Sequence, residues 1–158
     1  LNILAERKAS VGEILLHHWQ TYGRNYYSRH DYEAVDSDTA NALMADLEAR
    51  LGELPGTEVH GLTVTKADQF AYHDPVDGSV SKNQGIRIFF EGGSRAVLRL
   101  SGTGTEGATL RVYLERYMPA EGALTIETQT ALREVAAAVA KLSALTARTG
   151  RETPDVMT

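Results

Sequence analysis

The chain has 158 residues and no cysteine, with 42% apolar and 23% charged residues. This length and composition indicate one globular domain and exclude a disulfide framework and a thiolate metal site. No apolar run is long enough to cross a membrane, and the net charge of −5 argues against general nucleic-acid binding. The absence of cysteine leads us to expect a cytoplasmic protein.

The charge is unevenly distributed along the chain. Residues 31–58 carry eight acidic side chains against the single base Arg50, whereas residues 87–116 carry five arginines against three glutamates. If the protein attracts an anion, we expect it to do so in the second of these segments.

The first third of the chain is predicted as helix, strand, helix. A capping box at residues 10–13 begins a helix that Gly23 ends. Alternating aromatic residues in 24–35 indicate a strand, and Ser37 or Asp38 is predicted to cap the next helix. Because the sequence begins without methionine in an apparent helix, we interpret it as a piece of a longer polypeptide.

The hydrophobic period then changes to two residues as far as residue 118, which indicates several antiparallel strands. A final helix is predicted from about residue 125 to 148, followed by a polar tail over 151–158. Helices and strands do not alternate strictly. The predicted fold class is therefore α+β, an antiparallel β-sheet with helices packed on one face.

The segment 99–111, RLSGTGTEGATLR, has three interpretations. Its G-x-G-x-x-G matches a dinucleotide fingerprint, but that motif must open a helix, and the residues that follow read as a strand. A plain hairpin turn remains possible, since glycines are common there. We favour an anion site, because Arg99 and Arg111 flank a loop rich in backbone N–H groups and hydroxyls.

The same segment resembles the phosphate-binding loop of the α-D-phosphoglucomutases, in the phosphohexomutase superfamily. The resemblance extends through HHWQTYGRNYYSRHDYE, DPVDGSVSKNQGIRIFF and LTARTGRETPDVMT, in that order, and so covers nearly the whole chain. It identifies the chain as similar to domain 4, the C-terminal domain, of these enzymes. That domain resembles the TATA-box-binding proteins in fold, as an antiparallel sheet with helices against one face.

The resemblance implies a function for the full-length protein. Phosphoglucomutases interconvert glucose 1-phosphate and glucose 6-phosphate through a phosphoserine and glucose 1,6-bisphosphate, using Mg²⁺ bound by another domain. The implied partners are glucose phosphates and the other three domains of the polypeptide, not nucleic acid or membrane. The alternative is a non-catalytic phosphoglucomutase-like module for binding or assembly.

The resemblance also implies roles for residues of this chain. Residues 1–23 would be the last helix of the preceding domain with a hinge, and 24–158 the phosphate-binding domain. No catalytic or metal-binding residue is expected here, so the isolated chain should be inactive. The residues expected to bind substrate phosphate are Arg99, Ser101, Gly102, Thr103, Gly104, Thr105 and Arg111.

Overall fold

The computed structural model describes residues 1–104 and 107–158. The helices are α1 (Asn2–Arg7), α2 (Val11–Tyr22), α3 (Ser37–Ala49), α4 (Thr128–Leu142) and α5 (Leu145–Thr149). The strands are β1 (Arg24–Val35), β2 (Glu58–Val59), β3 (Leu62–Gln69), β4 (Tyr72–His73), β5 (Val80–Ser81), β6 (Ile86–Phe90), β7 (Arg95–Gly104), β8 (Gly107–Met118) and β9 (Val156–Met157). In these ranges no helix is both long and apolar enough to span a membrane.

Seven strands form one antiparallel sheet in the order β2-β3-β6-β7-β8-β1-β9, and β4 and β5 form a separate ribbon. Helices α3 and α4 pack on one face of this sheet, and α5 packs against both helices. The predicted α+β class, with helices on one face of an antiparallel sheet, is therefore confirmed. We call the opposite surface of the sheet the open face.

The core lies between the sheet and the helices. Strand β8 alternates buried and partly exposed residues along most of its length, as a strand with one covered face must. Its inward side chains meet an apolar stripe on α4. The fully buried residues at this junction include Leu98, Leu110, Leu114, Leu132 and Val135.

Two predicted helix boundaries are wrong. Helix α3 is capped by Asp36, whose carboxylate accepts the backbone N–H of Thr39 at 2.8 Å, rather than by Ser37 or Asp38. The final predicted helix is broken in two, because Ala144 adopts a left-handed conformation with φ +52° between α4 and α5. An alanine there gives no sequence signal for a break, since alanine is the strongest helix former.

The predicted polar tail is part of the sheet. Strand β9 pairs with β1 at His30 and Asp31. Farther along β1, the backbone N–H of Glu33 donates to Asp155 Oδ2 at 2.8 Å, and Arg151 Nη2 donates to the Glu33 carbonyl at 3.0 Å. Arg151 also pairs with Asp155 at 2.9 Å. Side chains of the tail thus bind both the N–H and the carbonyl of the Glu33 backbone.

The segment of β1 held by the tail is a bulge beside the start of β8. The register between these strands shifts between Tyr32 and Val35, and Ala34 has φ +50°. Gly107 lies against the bulge with φ +95°, and a Cβ atom placed on it would come within 2.8 Å of the Val35 carbonyl oxygen. Only glycine satisfies both the backbone conformation and this contact.

Replacing Gly107 by alanine is expected to destabilise the chain more than the same change at Gly56. Both glycines have positive φ, but no atom lies within 4 Å of a Cβ at Gly56. Gly56→Ala should therefore lose about 1 kcal/mol from the left-handed backbone alone. Gly107→Ala should lose about 1–3 kcal/mol more from overpacking. Urea denaturation of the two variants measures the difference, and equal losses would contradict the close contact.

Candidate functional site

The open face carries the polar side chains of the central strands. On β7 the residues with this orientation are Arg95, Val97, Arg99 and Ser101, and on β8 they are Thr109, Arg111, Tyr113 and Glu115. This alternation follows directly from the two-residue period of a strand, because the apolar residues between these positions fill the core. The sequence thus directs several arginines to one surface.

Antiparallel pairing places Arg99 opposite Arg111. The next strand places Asp31 on the other side of Arg111, so the three residues form a row across β7, β8 and β1. The structure therefore places these two predicted phosphate-binding arginines on adjacent strands. Two cations at directly paired positions repel each other unless an anion lies nearby.

Asp31 is the buried anion of this row. Its side chain is only 6% exposed, and its oxygens face two guanidinium groups, with Arg29 Nε at 3.0 Å and Arg111 Nε at 3.8 Å. Neither contact is aligned as a hydrogen bond, and Asp31 Oδ1 and both Nε atoms have no hydrogen-bond partner in the described part of the chain. Sequence reasoning missed Asp31, although its position two residues after Arg29 on β1 places both on the open face.

Arg99 is held differently from the other arginines of this face. Its Nη2 lies 3.4 Å from Gln84 Oε1, a weak contact, and within residues 1–104 and 107–158 it makes no ion pair. The stem of Arg99 passes over Gly85, where a Cβ atom would lie 2.7 Å from Arg99 Cγ. Gly85 therefore leaves room for this side chain.

The remaining arginines of the open face are engaged by carboxylates. Arg87 binds Asp68 through two hydrogen bonds of 2.7 and 2.9 Å, and its guanidinium lies 4.6 Å from the centre of the Phe70 ring. Arg95 pairs with Glu115 on the adjacent strand. Arg87 and Arg95 therefore differ from Arg99, which makes no ion pair within the described residues.

The glycine-rich segment joins β7 and β8 as a hairpin. Gly102 has φ +63°, and beyond a bulge Gly104 pairs with Gly107. The strand that follows confirms the rejection of the dinucleotide fingerprint, which needs a helix there. Of the other predicted phosphate ligands, Ser101 is on the open face of β7. The Thr103 side chain and the whole of Thr105 lie outside the described residues, so the anion nest stays a prediction.

In the part of the chain that the structure describes, no three His, Asp or Glu side chains gather as metal ligands.

Arg24, which follows Gly23, stacks between the rings of Trp19 and Tyr26 at 4.1 and 3.9 Å and donates to the Leu124 carbonyl. It thereby fastens α2 to the sheet.

Comparison with known proteins assigns the family. The family profile described as "Phosphoglucomutase-1, C-terminal domain" matches residues 24–155. The chain belongs to this family. The chain spans about 29% of the length of the curated relatives that it matches.

The relatives in this family are similar over the whole chain. The chain is 60% identical to a phosphoglucomutase of Rhizobium radiobacter, covering 100% of this chain and 29% of that protein. It is 47% identical to human phosphoglucomutase-1, with the same coverage. Among solved structures, the open form of the exocytosis-sensitive phosphoprotein pp63/parafusin, a phosphoglucomutase from Paramecium, superimposes with a TM-score of 0.86 at 43% identity. That match covers 99% of this chain and 27% of the other.

The Asp68–Arg87 pair gives a pH-dependent prediction. Its hydrogen bonds from Arg87 hold the pKa of the Asp68 carboxyl below its ordinary value, so the pair stabilises the fold above the unfolded-state pKa and ceases to do so as the pH falls through the folded-state pKa. We expect Asp68→Asn to lose about 1 kcal/mol of unfolding free energy at neutral pH. This loss should shrink as the pH falls through the folded-state pKa of Asp68. Glu58→Gln, at an exposed position with no ion pair in the described residues, is the control. A difference that persists unchanged in acid would contradict the pairing.

Proposed function

We propose that this chain is the C-terminal domain of a phosphoglucomutase that interconverts glucose 1-phosphate and glucose 6-phosphate. Its role is to bind the phosphate group that is not being transferred. The observation that carries the proposal is the direct pairing of Arg99 and Arg111 at the base of a Gly/Thr hairpin, in a chain of the phosphoglucomutase C-terminal family.

Two arginines beside backbone N–H donors suit a phosphate monoester. Each guanidinium offers a planar fork that can donate two parallel hydrogen bonds to phosphate oxygens. Each charge-assisted hydrogen bond contributes on the order of 1.5–3 kcal/mol net, so a few of them give useful affinity. We assign this role to Arg99, Ser101, Gly102, Thr103, Gly104, Thr105 and Arg111.

Such a site recognises phosphate without recognising the sugar, and the reaction needs this property. In the proposed cycle a phosphoserine donates its phosphoryl group, glucose 1,6-bisphosphate forms and turns over, and the other phosphate returns to the serine. Either phosphate group of the bisphosphate must therefore fit the same binding site. Fixing one end of the sugar accelerates transfer at the other end through orientation.

The remaining machinery belongs to other domains in this proposal. The phosphoserine and the Mg²⁺ that assists transfer lie in the part of the polypeptide that this chain does not span. We assign residues 1–23 to the preceding domain and the hinge, since α1 and α2 contribute no buried residue and the family match begins at residue 24. Relatives named as cytoplasmic support a cytoplasmic location.

Removing the Arg99 charge in the full-length protein is expected to abolish most turnover. Arg99→Ala deletes a phosphate ligand, and kcat/KM for glucose 1-phosphate should fall by about a hundredfold, the cost of losing a few kcal/mol of binding and orientation. Arg95→Ala is the matched control, because Arg95 shares the strand and the face but pairs with Glu115. Wild-type activity of Arg99→Ala would refute the assignment.

Binding by the isolated chain tests the hairpin itself. Titration with inorganic phosphate should shift the backbone amide resonances of residues 101–107, because the proposed donors are main-chain N–H groups. The chain alone should show no mutase activity. Amides that do not move would return the segment to a plain hairpin and favour a non-catalytic module.

A further inference from the structure

We propose that Asp31 is a positioning residue for phosphate binding, acting through Arg111. Its buried carboxylate holds the Arg111 guanidinium in place while Arg111 binds the substrate phosphate. This inference rests on the proposed function of Arg99 and Arg111 and adds a residue outside the glycine-rich segment.

The first support is the burial of Asp31 beside two cations. The Asp31 side chain is 6% exposed, whereas those of Arg29 and Arg111 are 35% and 38% exposed. A carboxylate removed from water in this way is stable only beside compensating positive charge. The two arginines supply that charge, and their side chains stay partly exposed.

The second support is the incomplete hydrogen bonding of the group. Asp31 Oδ1, Arg29 Nε and Arg111 Nε are buried atoms without a hydrogen-bond partner among the described residues. Arg111 Nε stands 3.8 Å from Asp31 Oδ2, farther than a hydrogen bond. A small rotation of Arg111 toward Asp31 would make this bond. We expect phosphate binding to the terminal nitrogens of Arg111 to stabilise that orientation.

The third support is the rigidity of the Asp31 backbone. Asp31 pairs with Arg111 on β8 and with Val156 on β9, and its carbonyl accepts the Asp155 N–H at 2.9 Å. A strand held on both sides fixes the direction of its side chains. The Asp31 carboxylate therefore has a fixed position beside the partly exposed Arg111 side chain.

Asp31→Asn should change the phosphate affinity in opposite directions depending on whether Asp31 acts only through its charge or by positioning Arg111. Removing a negative charge near an anion site strengthens anion binding by Coulomb attraction alone. Loss of a positioning group weakens binding, because Arg111 is no longer held and faces Arg99 without a counter-charge. The sign of the change in phosphate affinity therefore distinguishes a positioning residue from a mere neighbouring charge.

The experiment measures competitive inhibition by inorganic phosphate and kcat/KM for glucose 1-phosphate in the full-length protein. We expect Asp31→Asn to weaken phosphate inhibition and to lower kcat/KM by about tenfold. This is less than the roughly hundredfold loss of rate that a displacement of about 1 Å at a reacting group can cause. Glu115→Gln removes another open-face carboxylate, which pairs with Arg95, and should leave phosphate inhibition unchanged or slightly stronger.

A double-mutant cycle shows whether Asp31 acts through Arg111. In an Arg111→Ala background, Asp31→Asn should have little further effect on phosphate inhibition, whereas a general structural defect would add its full effect. If Asp31→Asn does not fold, Asp31→Glu keeps the charge and displaces the carboxylate by one methylene. That variant should also weaken phosphate inhibition, by severalfold.

The outcomes separate this inference from the function on which it rests. Unchanged or stronger phosphate inhibition in Asp31→Asn or Asp31→Glu, with weakened inhibition in Arg99→Ala and Arg111→Ala, overturns the role of Asp31 alone. Additive effects in the double-mutant cycle also overturn it. Unchanged inhibition in both arginine variants overturns the proposed phosphate site.

Discussion

The register between β7 and β8 is the constraint on which the rest of this domain depends. It pairs Leu98 with Val112 on the covered face and Arg99 with Arg111 on the open face. A slip by one residue would turn leucines to solvent and arginines into the core, so burial of the core enforces the register. The same hydrophobic energy that stabilises the fold thus brings two cations together.

Bringing cations together has an energetic cost, which the fold compensates unequally. Asp31 lies beside Arg111, whereas Arg99 has only the weak contact with Gln84 in the described residues. Partial compensation leaves the row with a local excess of positive charge in a chain whose net charge is −5. Together with Arg29, which also faces Asp31, the group has three cations against one anion. A dianionic phosphate would neutralise that excess, which links the pairing to the proposed function.

The sequence predicts the fold class and the two arginines because both follow from a two-residue period. It does not predict the contact of Asp31 with Arg111, since nothing local to residues 24–35 shows that this strand pairs with β8 rather than with another strand of the sheet. For the same reason the sequence does not predict that the tail joins the sheet, because β9 has only two residues and its partner β1 is distant in sequence. The break at Ala144 contradicts local helix propensity and reflects the packing of α5 on α3 and α4.

The row formed by Asp31, Arg99 and Arg111 also has a consequence for folding. The hairpin that pairs the two arginines can form from contacts near in sequence, but Asp31 joins only when β1 docks on the far side of β8. Contacts between such distant segments close large loops and therefore form slowly. A nascent domain would carry two uncompensated cations until this late step. The docking of β1 on β8 thus places a carboxylate beside Arg111, so this long-range contact also lowers the charge repulsion within the hairpin.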